Sequence, residues 1–555
     1  MQFELLYKEL GEYGCLQRWV VWVCSSTSYW AGLLILTSYF VLVIPNHRCA
    51  IPGLENDTYA IQNEYHDAIV NMTIPASKDD EDFPYDQCHY YNIDELGNKT
   101  LQECSAWVYD KSVFQTSLAA DLNMVCSDTI MKSNAQMVNF LGILIGSFVT
   151  GVVSDKIGRK TTMVSSLSLI FIASLAMAWT PNYIVFVVLT FLVGFFNVGH
   201  WMPAYVLRME FVGPSERKFA GYLSSVLFAI GNMSLAGLAY GIRDWHILLI
   251  VTASAGVVYF PLWLKRVFPE SVRWLNNRGK NEQAKSILRM WGRWNNVQLS
   301  ENFCEKVMTD DEDDSTQVQG NIWDLFTTKT LAFRTTVIFF IWLFVCCGYY
   351  GLAFNAADLG TDLYLNFILL AGVELPAYVI CVYLLDRVGR KPIMVGSMII
   401  GGAALVGTTF TLLYLPDQPI YTTILALVGK MGLAGGFATI YVFSAELFPT
   451  VVRNAAMGGS SSMARVGGMI APYIADLDRL VGGSFGKALP QVVFAVLTIL
   501  GGLASIFLPE TLNRDLPETI DEARLFGSKQ QEKKSTENQV YTNQVISMDP
   551  DELKK

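Results

Sequence analysis

Runs of roughly twenty mostly apolar residues recur along most of this 555-residue chain, and no other feature constrains its fold so strongly. Each run is long enough to cross about 30 Å of hydrocarbon as a helix, where every backbone N–H and C=O must find its partner within the segment. The runs are continuous rather than alternating, which excludes a β-barrel. Charged residues make up 16% of the chain and hydrophobic ones 52%, whereas an ordinary soluble domain is about 25% charged. That balance excludes a soluble enzyme, a nucleic-acid binder and a secreted scaffold. The pattern predicts an all-α membrane protein with twelve transmembrane helices, near residues 19–44, 135–153, 162–180, 183–207, 219–241, 246–264, 331–353, 363–385, 392–414, 420–442, 455–475 and 488–508.

The segments between the runs divide the chain. A cytosolic N-terminus is expected over 1–18, a six-helix half over 19–264, a cytosolic inter-half segment over 265–330, a second six-helix half over 331–508, and a cytosolic tail over 509–555, disordered beyond about residue 528. The first run exceeds a signal-peptide core and reads as a retained span. Short connections carrying Lys156, Arg159 and Lys160, and later Arg387, Arg390 and Lys391, belong on the cytosolic side. Twelve spans then place both termini in the cytosol and the long loop 45–134 outside. That loop holds fifteen acidic against five basic residues, and sequons at Asn56, Asn71 and Asn98 mark it for glycosylation. A fourth sequon, at Asn232, falls inside a helix and is expected to stay unmodified. Cys49, Cys88, Cys104 and Cys126 share the same loop and are expected to form two disulfides, with all three pairings open.

The chain also repeats itself. Asp155-Lys-Ile-Gly158-Arg159-Lys160 returns 231 residues later as Asp386-Arg-Val-Gly389-Arg390-Lys391. Glu210-Phe-Val-Gly-Pro-Ser-Glu-Arg217 returns after 236 as Glu446-Leu-Phe-Pro-Thr-Val-Val-Arg453, and Pro269-Glu270-Ser271 after 240 as Pro509-Glu510-Thr511. Three pairs in one order at a nearly constant offset mean two parallel six-helix halves, the plan shared by major facilitator transporters. Gly158 and Gly389 suit tight turns, Gly151 a close helix approach, and Asp155 and Asp386 offer partners to arginines such as Arg159 and Arg390. With the Glu210/Arg217 and Glu446/Arg453 pairs, these residues are expected to latch the halves together and to release them in a gating cycle.

At these residues the chain resembles the organic cation/carnitine transporter branch of the major facilitator superfamily. The resemblance runs from Phe3-Glu-Leu-Leu-Tyr-Lys-Glu-Leu-Gly-Glu-Tyr-Gly14 to Leu508-Pro-Glu-Thr511, and includes the cysteine-bearing loop, Pro269-Glu-Ser-Val-Arg-Trp-Leu275 and Glu446-Leu-Phe-Pro-Thr-Val-Val-Arg-Asn454. Gly348-Tyr-Tyr-Gly-Leu352, Val373-Glu-Leu-Pro-Ala-Tyr378 and Val428-Gly-Lys-Met-Gly432 look most like the carnitine/zwitterion subgroup. The resemblance implies a multi-pass plasma-membrane carrier of small organic solutes. It also implies that Arg465 stands where anion- and carnitine-handling relatives place an arginine and cation-handling ones an aspartate. His200 stands where the subgroup tends to carry an asparagine associated with sodium, so coupling to sodium or to protons stays open.

Ionisable residues within spans are costly and therefore informative. Arg465 offers a planar fork for a carboxylate, with an ion pair to Glu374 as the alternative. Glu374 is expected to face an ammonium group, aided by cation–π contacts from Trp201, Tyr205 and Tyr349. Lys430 either joins that site or simply pairs with Glu374. His200 reads as a hydrogen-bonded helix contact. The expected substrates are carnitine-like betaines and amino-acid-derived amines, with organic-anion exchange or a non-transporting sensor as alternatives. No nucleotide loop, metal-ligand spacing or nucleophile constellation appears, so the expectation is no enzyme, metal or cofactor, and no partner beyond solute and lipid bilayer.

Overall fold

The computed structural model describes residues 3–76, 85–93, 98–180, 182–264, 267–300, 303, 321–359, 362–481, 483–514 and 516–526. The tail expected to be disordered lies outside them. Among the described residues, twelve helices of membrane-crossing length form the body: α1 Cys15–Val41, α2 Ile130–Ile157, α3 Arg159–Ala178, α4 Tyr183–Phe211, α5 Arg217–Gly241, α6 Trp245–Trp263, α7 Lys329–Phe354, α8 Leu363–Val388, α9 Arg390–Tyr414, α10 Pro419–Leu447, α11 Thr450–Ala475 and α12 Gly483–Ser505. Eleven are apolar enough to span a bilayer by hydropathy alone. The exception is α11, where glycines, serines, Arg453 and Arg465 replace bulky apolar residues. Several helices outrun their apolar stretch. The helix α4 ends at Phe211 rather than 207, α10 at Leu447 rather than 442, and α11 begins at Thr450 rather than 455. Their charged ends continue the helix because Arg208, Glu210 and Glu446 find partners inside the protein.

The helices run back and forth between two faces. One carries the loop that follows α1; the other, the motif face, carries the repeated motifs and the short N-terminal helix Phe3–Leu10. That helix packs Leu6, Tyr7 and Leu10 under the segment after α6, where helices Val272–Asn277 and Asn281–Trp294 contribute Trp274, Leu288 and Trp291 to one buried cluster. The two helices of this segment form a small packed layer on the motif face.

At the loop face the two halves are joined in depth. The helices α2 and α11 cross antiparallel: Lys132 Nζ meets Asp476 Oδ1 at 2.7 Å, Ser133 also donates to Asp476, and Tyr473 donates to Asn134 at 2.6 Å. Farther in, Gly468 lies against the Phe140 ring, where any side-chain carbon would come within 2.5 Å of it. Tyr39 and Phe40 of α1 stack on Phe367 and Tyr364 of α8. Near the motif face, by contrast, Lys218 and Asp386 bridge the halves at 3.3 Å while 86% and 59% exposed, and exposed pairs of this kind contribute about 0–1 kcal/mol. The molecule is therefore closed at the loop face and lightly held at the other.

The loop has its own small fold. Strands β1 His47–Cys49 and β4 Trp107–Tyr109 pair antiparallel, as do β2 His89–Ile93 and β3 Lys99–Glu103, beside a helix over Glu64–Thr73. Of the three open pairings, the structure joins Cys49 to Cys104 and Cys88 to Cys126. Arg48, fully buried, grips Asp57 with both Nη atoms at 2.6 and 3.0 Å, and His66 Nε2 approaches the same carboxylate at 3.0 Å. Burial alone would raise the Asp57 carboxyl, but hydrogen bonds from Arg48, the Ile51 N–H and His66 outweigh it and hold its pKa below the usual range. A depressed carboxyl stabilises the fold fully above its unfolded value, about 3.9, and loses that contribution as pH falls through the folded value. Pepsin cleavage of the loop is therefore expected to stay constant from pH 5 to about 4 and to rise below that. Asp57→Asn should be cleaved faster at pH 5.

Candidate functional site

The three repeated motifs converge, once in each half. Gly158 and Gly389 adopt φ of 113° and 111°, a region that favours glycine, and each is backed by a glutamate that leaves no room for a side chain. Those glutamates come from the third motif. Glu270 Oε1 accepts the Lys160 N–H at 3.0 Å, and Glu510 accepts the Arg390 and Lys391 N–H groups at 2.9 and 3.0 Å. Each carboxylate thus caps the N-terminus of α3 or α9, where free N–H groups and the helix dipole favour an anion. For Glu510 burial acts to raise the pKa, but four backbone donors prevail and lower it. The second motif supplies the arginine's partner: Arg159 reaches Asp155 at 3.1 Å and Glu210 at 3.6 Å, while Arg390 reaches Asp386 at 3.4 Å and grips Glu446 through two hydrogen bonds of 2.9 Å.

The arginine motifs bind glutamates of their own half, so in this conformation they brace each half. Two expectations are corrected. Arg217 and Arg453 are not the glutamates' partners: Arg217 lines a cavity beside Tyr7, and Arg453 Nε donates to the Phe448 carbonyl at 3.2 Å. A side chain at Gly151 would meet nothing within 4 Å, so that glycine mediates no close approach.

Deep between α7, α8 and α10 lies a charged cluster. Lys430 Nζ is 3.2 Å from Glu374 Oε1, donates to the Tyr349 carbonyl at 2.9 Å, and sits 3.3 Å from the centre of the Tyr349 ring. Tyr378 Oη donates to Glu374 Oε2 at 3.2 Å. Glu374, Lys430 and Tyr349 are at most 2% exposed. Glu374 and Tyr349 were expected to face a ligand's ammonium group; Lys430 already occupies both, and that expectation is corrected.

Among the described residues Arg465 has no such partner. Its Nη1 donates to Ser461 of its own helix, at 2.5 Å to the carbonyl and also to the hydroxyl, while Nε has no acceptor. The ion pair with Glu374 is not formed. Tyr350 and Tyr441 lie within electrostatic reach of this guanidinium. Tyr350 packs on Phe140 of the other half at 4.9 Å. Trp201 and Tyr205 neighbour one another at 6.3 Å on α4, but Arg208 lies 5.1 Å from the Tyr205 ring, so that face is taken. Tyr205 also lines a cavity of about 640 Å³ open at the motif face, with Met209, Glu210, Arg217 and Lys218. His200 is wholly buried and, among the described residues, neither ring nitrogen has a hydrogen-bond partner, contrary to the helix contact expected of it. Phe437 and Tyr441 were missed. The repeat contained the signal, since an offset of 236 carries Trp201 onto Phe437 and Tyr205 onto Tyr441.

Two six-helix halves, closed together at one face, with a buried ion pair within one and an aromatic pair in each, define a transporter of the major facilitator type. The chain belongs to the family described as sugar (and other) transporter, which matches residues 59–523. It is 32% identical to an organic cation transporter protein of Drosophila melanogaster over 547 residues, covering 95% of this chain and 96% of that one. It is also 32% identical to the human organic cation/carnitine transporter 2 over 532 residues, 92% of each chain, and 30% identical to human solute carrier family 22 member 13, covering 94% and 93%. The fold is similar to that of the xylose transporter XylE from E. coli, with a TM-score of 0.60 at 14% identity, covering 90% of this chain and 100% of that one. The protein is a membrane transporter, not an enzyme.

Removing one partner of a buried ion pair costs about 3–5 kcal/mol, because the other charge stays buried, whereas replacing both by apolar residues is often neutral. Lys430→Met should therefore lower the thermal unfolding temperature of the purified protein substantially, and the double variant Lys430→Met/Glu374→Leu should restore most of it.

Proposed function

We propose that this protein is a plasma-membrane secondary transporter of small zwitterionic or cationic organic solutes that carry a carboxylate beside an amine, such as carnitine-like betaines and amino-acid-derived amines. One observation carries the reading. Lys430 engages Glu374, which leaves Arg465 as a half-buried guanidinium with spare donors beside Tyr350 and Tyr441. A planar fork suits a carboxylate, and the rings of Trp201, Tyr350, Phe437 and Tyr441 offer faces to the amine end. The names of the relatives, organic cation and carnitine transporters, support the same class of solute.

The loop 45–134 faces outside and both termini face the cytosol, as the basic connections require. The conformation is then inward-facing. Opening outward would separate Lys132 from Asp476 and Phe140 from Gly468, and would close the motif face, where Asp155, Arg159, Asp386 and Arg390 could exchange partners between halves. Asn56, Asn71 and Asn98 are all exposed on the loop and are the glycosylation sites of this reading. An enzymatic deglycosylation shift is expected in the wild type and not when all three are changed to Gln; a shift that persists would refute the topology.

Transport is tested with a betaine and its decarboxylated amine in proteoliposomes. A charge-assisted bidentate contact contributes about 1.5–3 kcal/mol. Arg465→Lys keeps the charge but loses the fork, so apparent affinity for the betaine should fall about 10- to 150-fold while the amine changes little. Equal losses for both would remove Arg465 from the binding site.

A further inference from the structure

Arg208 sits less than one turn beyond Tyr205 on α4, and none of the roles above uses it. Its side chain is 0% exposed. Nη1 donates to Ser25 Oγ of α1 at 2.9 Å and to Ser224 Oγ of α5, and the Ser28 and Ser224 hydroxyls share a hydrogen bond of 2.8 Å. Nε and Nη2 have no acceptor, and among the described residues no carboxylate pairs with this guanidinium. An arginine does not shed its proton in a protein, so the charge persists. A fully buried charge without a counter-charge is costly, which is why such groups are found paired or at functional sites.

The fold itself does not demand the charge. The offset of 236 that carries Glu210 onto Glu446 carries Arg208 onto Ser444, a buried hydroxyl that accepts a hydrogen bond from Trp342 Nε1 at 2.9 Å. One half thus satisfies the equivalent place with neutral groups, and the other places a cation there with two donor nitrogens unspent. Two hydroxyls, Ser25 on α1 and Ser224 on α5, contact it, Ser28 stands behind Ser224, and the ring of Tyr205, which lines the cavity at the motif face, lies 5.1 Å away.

We propose that Arg208, with Ser25, Ser28 and Ser224, forms a site for one small monovalent anion, separate from Arg465 in the other half. The ligand is either a halide from solution or a small carboxylate. Both are monovalent acceptors that would take the spare N–H groups, and the site opens when the Tyr205 ring moves aside.

Thermal unfolding of the purified full-length protein tests this, in sodium chloride, sodium acetate or bulky sodium gluconate at fixed ionic strength. The unfolding temperature should rise saturably with chloride or acetate over gluconate. Chloride alone would identify a halide site and acetate alone a carboxylate site. Arg208→Ser, which installs the residue of the other half, should weaken the anion dependence at least tenfold, and Arg465→Lys should leave the chloride dependence intact. Should Arg208→Ser give no cooperative transition, Ser224→Ala is expected to weaken the dependence several-fold. No dependence in the wild type, or an unchanged one in the Arg208 or Ser224 variant, overturns the proposal. The readout involves no transported solute, so a failure of the Arg465 uptake test leaves it unaffected.

Discussion

A carboxylate cannot stay ionised in a membrane-embedded core without a counter-charge, and the way Glu374 is neutralised sets the character of everything near it. Lys430 reaches it from α10, anchored on the Tyr349 carbonyl and ring of α7, and Tyr378 hydrogen-bonds the second oxygen. Three helices of the C-terminal half are thereby fixed around one pair. The pair also leaves the half's other deep cation, Arg465, without an internal carboxylate. Had Glu374 turned to Arg465, the site would be internally neutral and would offer a solute neither fork nor charge.

The two halves share a scaffold but not a chemistry. In each, a glycine at positive φ, a glutamate capping the next helix, and an arginine bound to a second glutamate form the same cluster at the motif face. The aromatic pairs Trp201/Tyr205 and Phe437/Tyr441 are duplicated too. Two arginines within the helices, Arg208 and Arg465, are not. Arg208 is matched by Ser444, and the offset carries Arg465 back onto Ala229. What is repeated builds and braces the helices; what departs from the repeat is where a solute or ion can be told from water.

The closed face shows how the same scaffold can have two states. The helices α2 and α11 interlock through Lys132, Ser133, Asn134, Asp476 and Tyr473, and a ring-on-glycine contact continues the seal inward. At the other face an exposed ion pair bridges the halves. A few polar contacts at each end, each modest in energy, allow a solute's binding energy to shift the balance between closures.

The sequence by itself determined the class of the molecule. Hydrocarbon admits only backbones satisfied internally, so continuous apolar runs mean helical spans, and the repeated motifs mean two parallel halves. It also identified Glu374, Lys430, Arg465 and His200 as ionisable residues worth explaining, but not Arg208. It did not determine who pairs with whom. The partner of Glu374, the glutamates chosen by Arg159 and Arg390, the pairing of Cys49 with Cys104, and the isolation of Arg208 depend on distances between helices far apart in the chain. Helix ends were misjudged for the same reason, because Glu210 and Glu446 look like the end of a span until a partner makes burial tolerable. Periodicity and hydropathy are local properties and can be read along a chain; the neutralisation of a buried charge is a long-range one, and only the packed structure decides it.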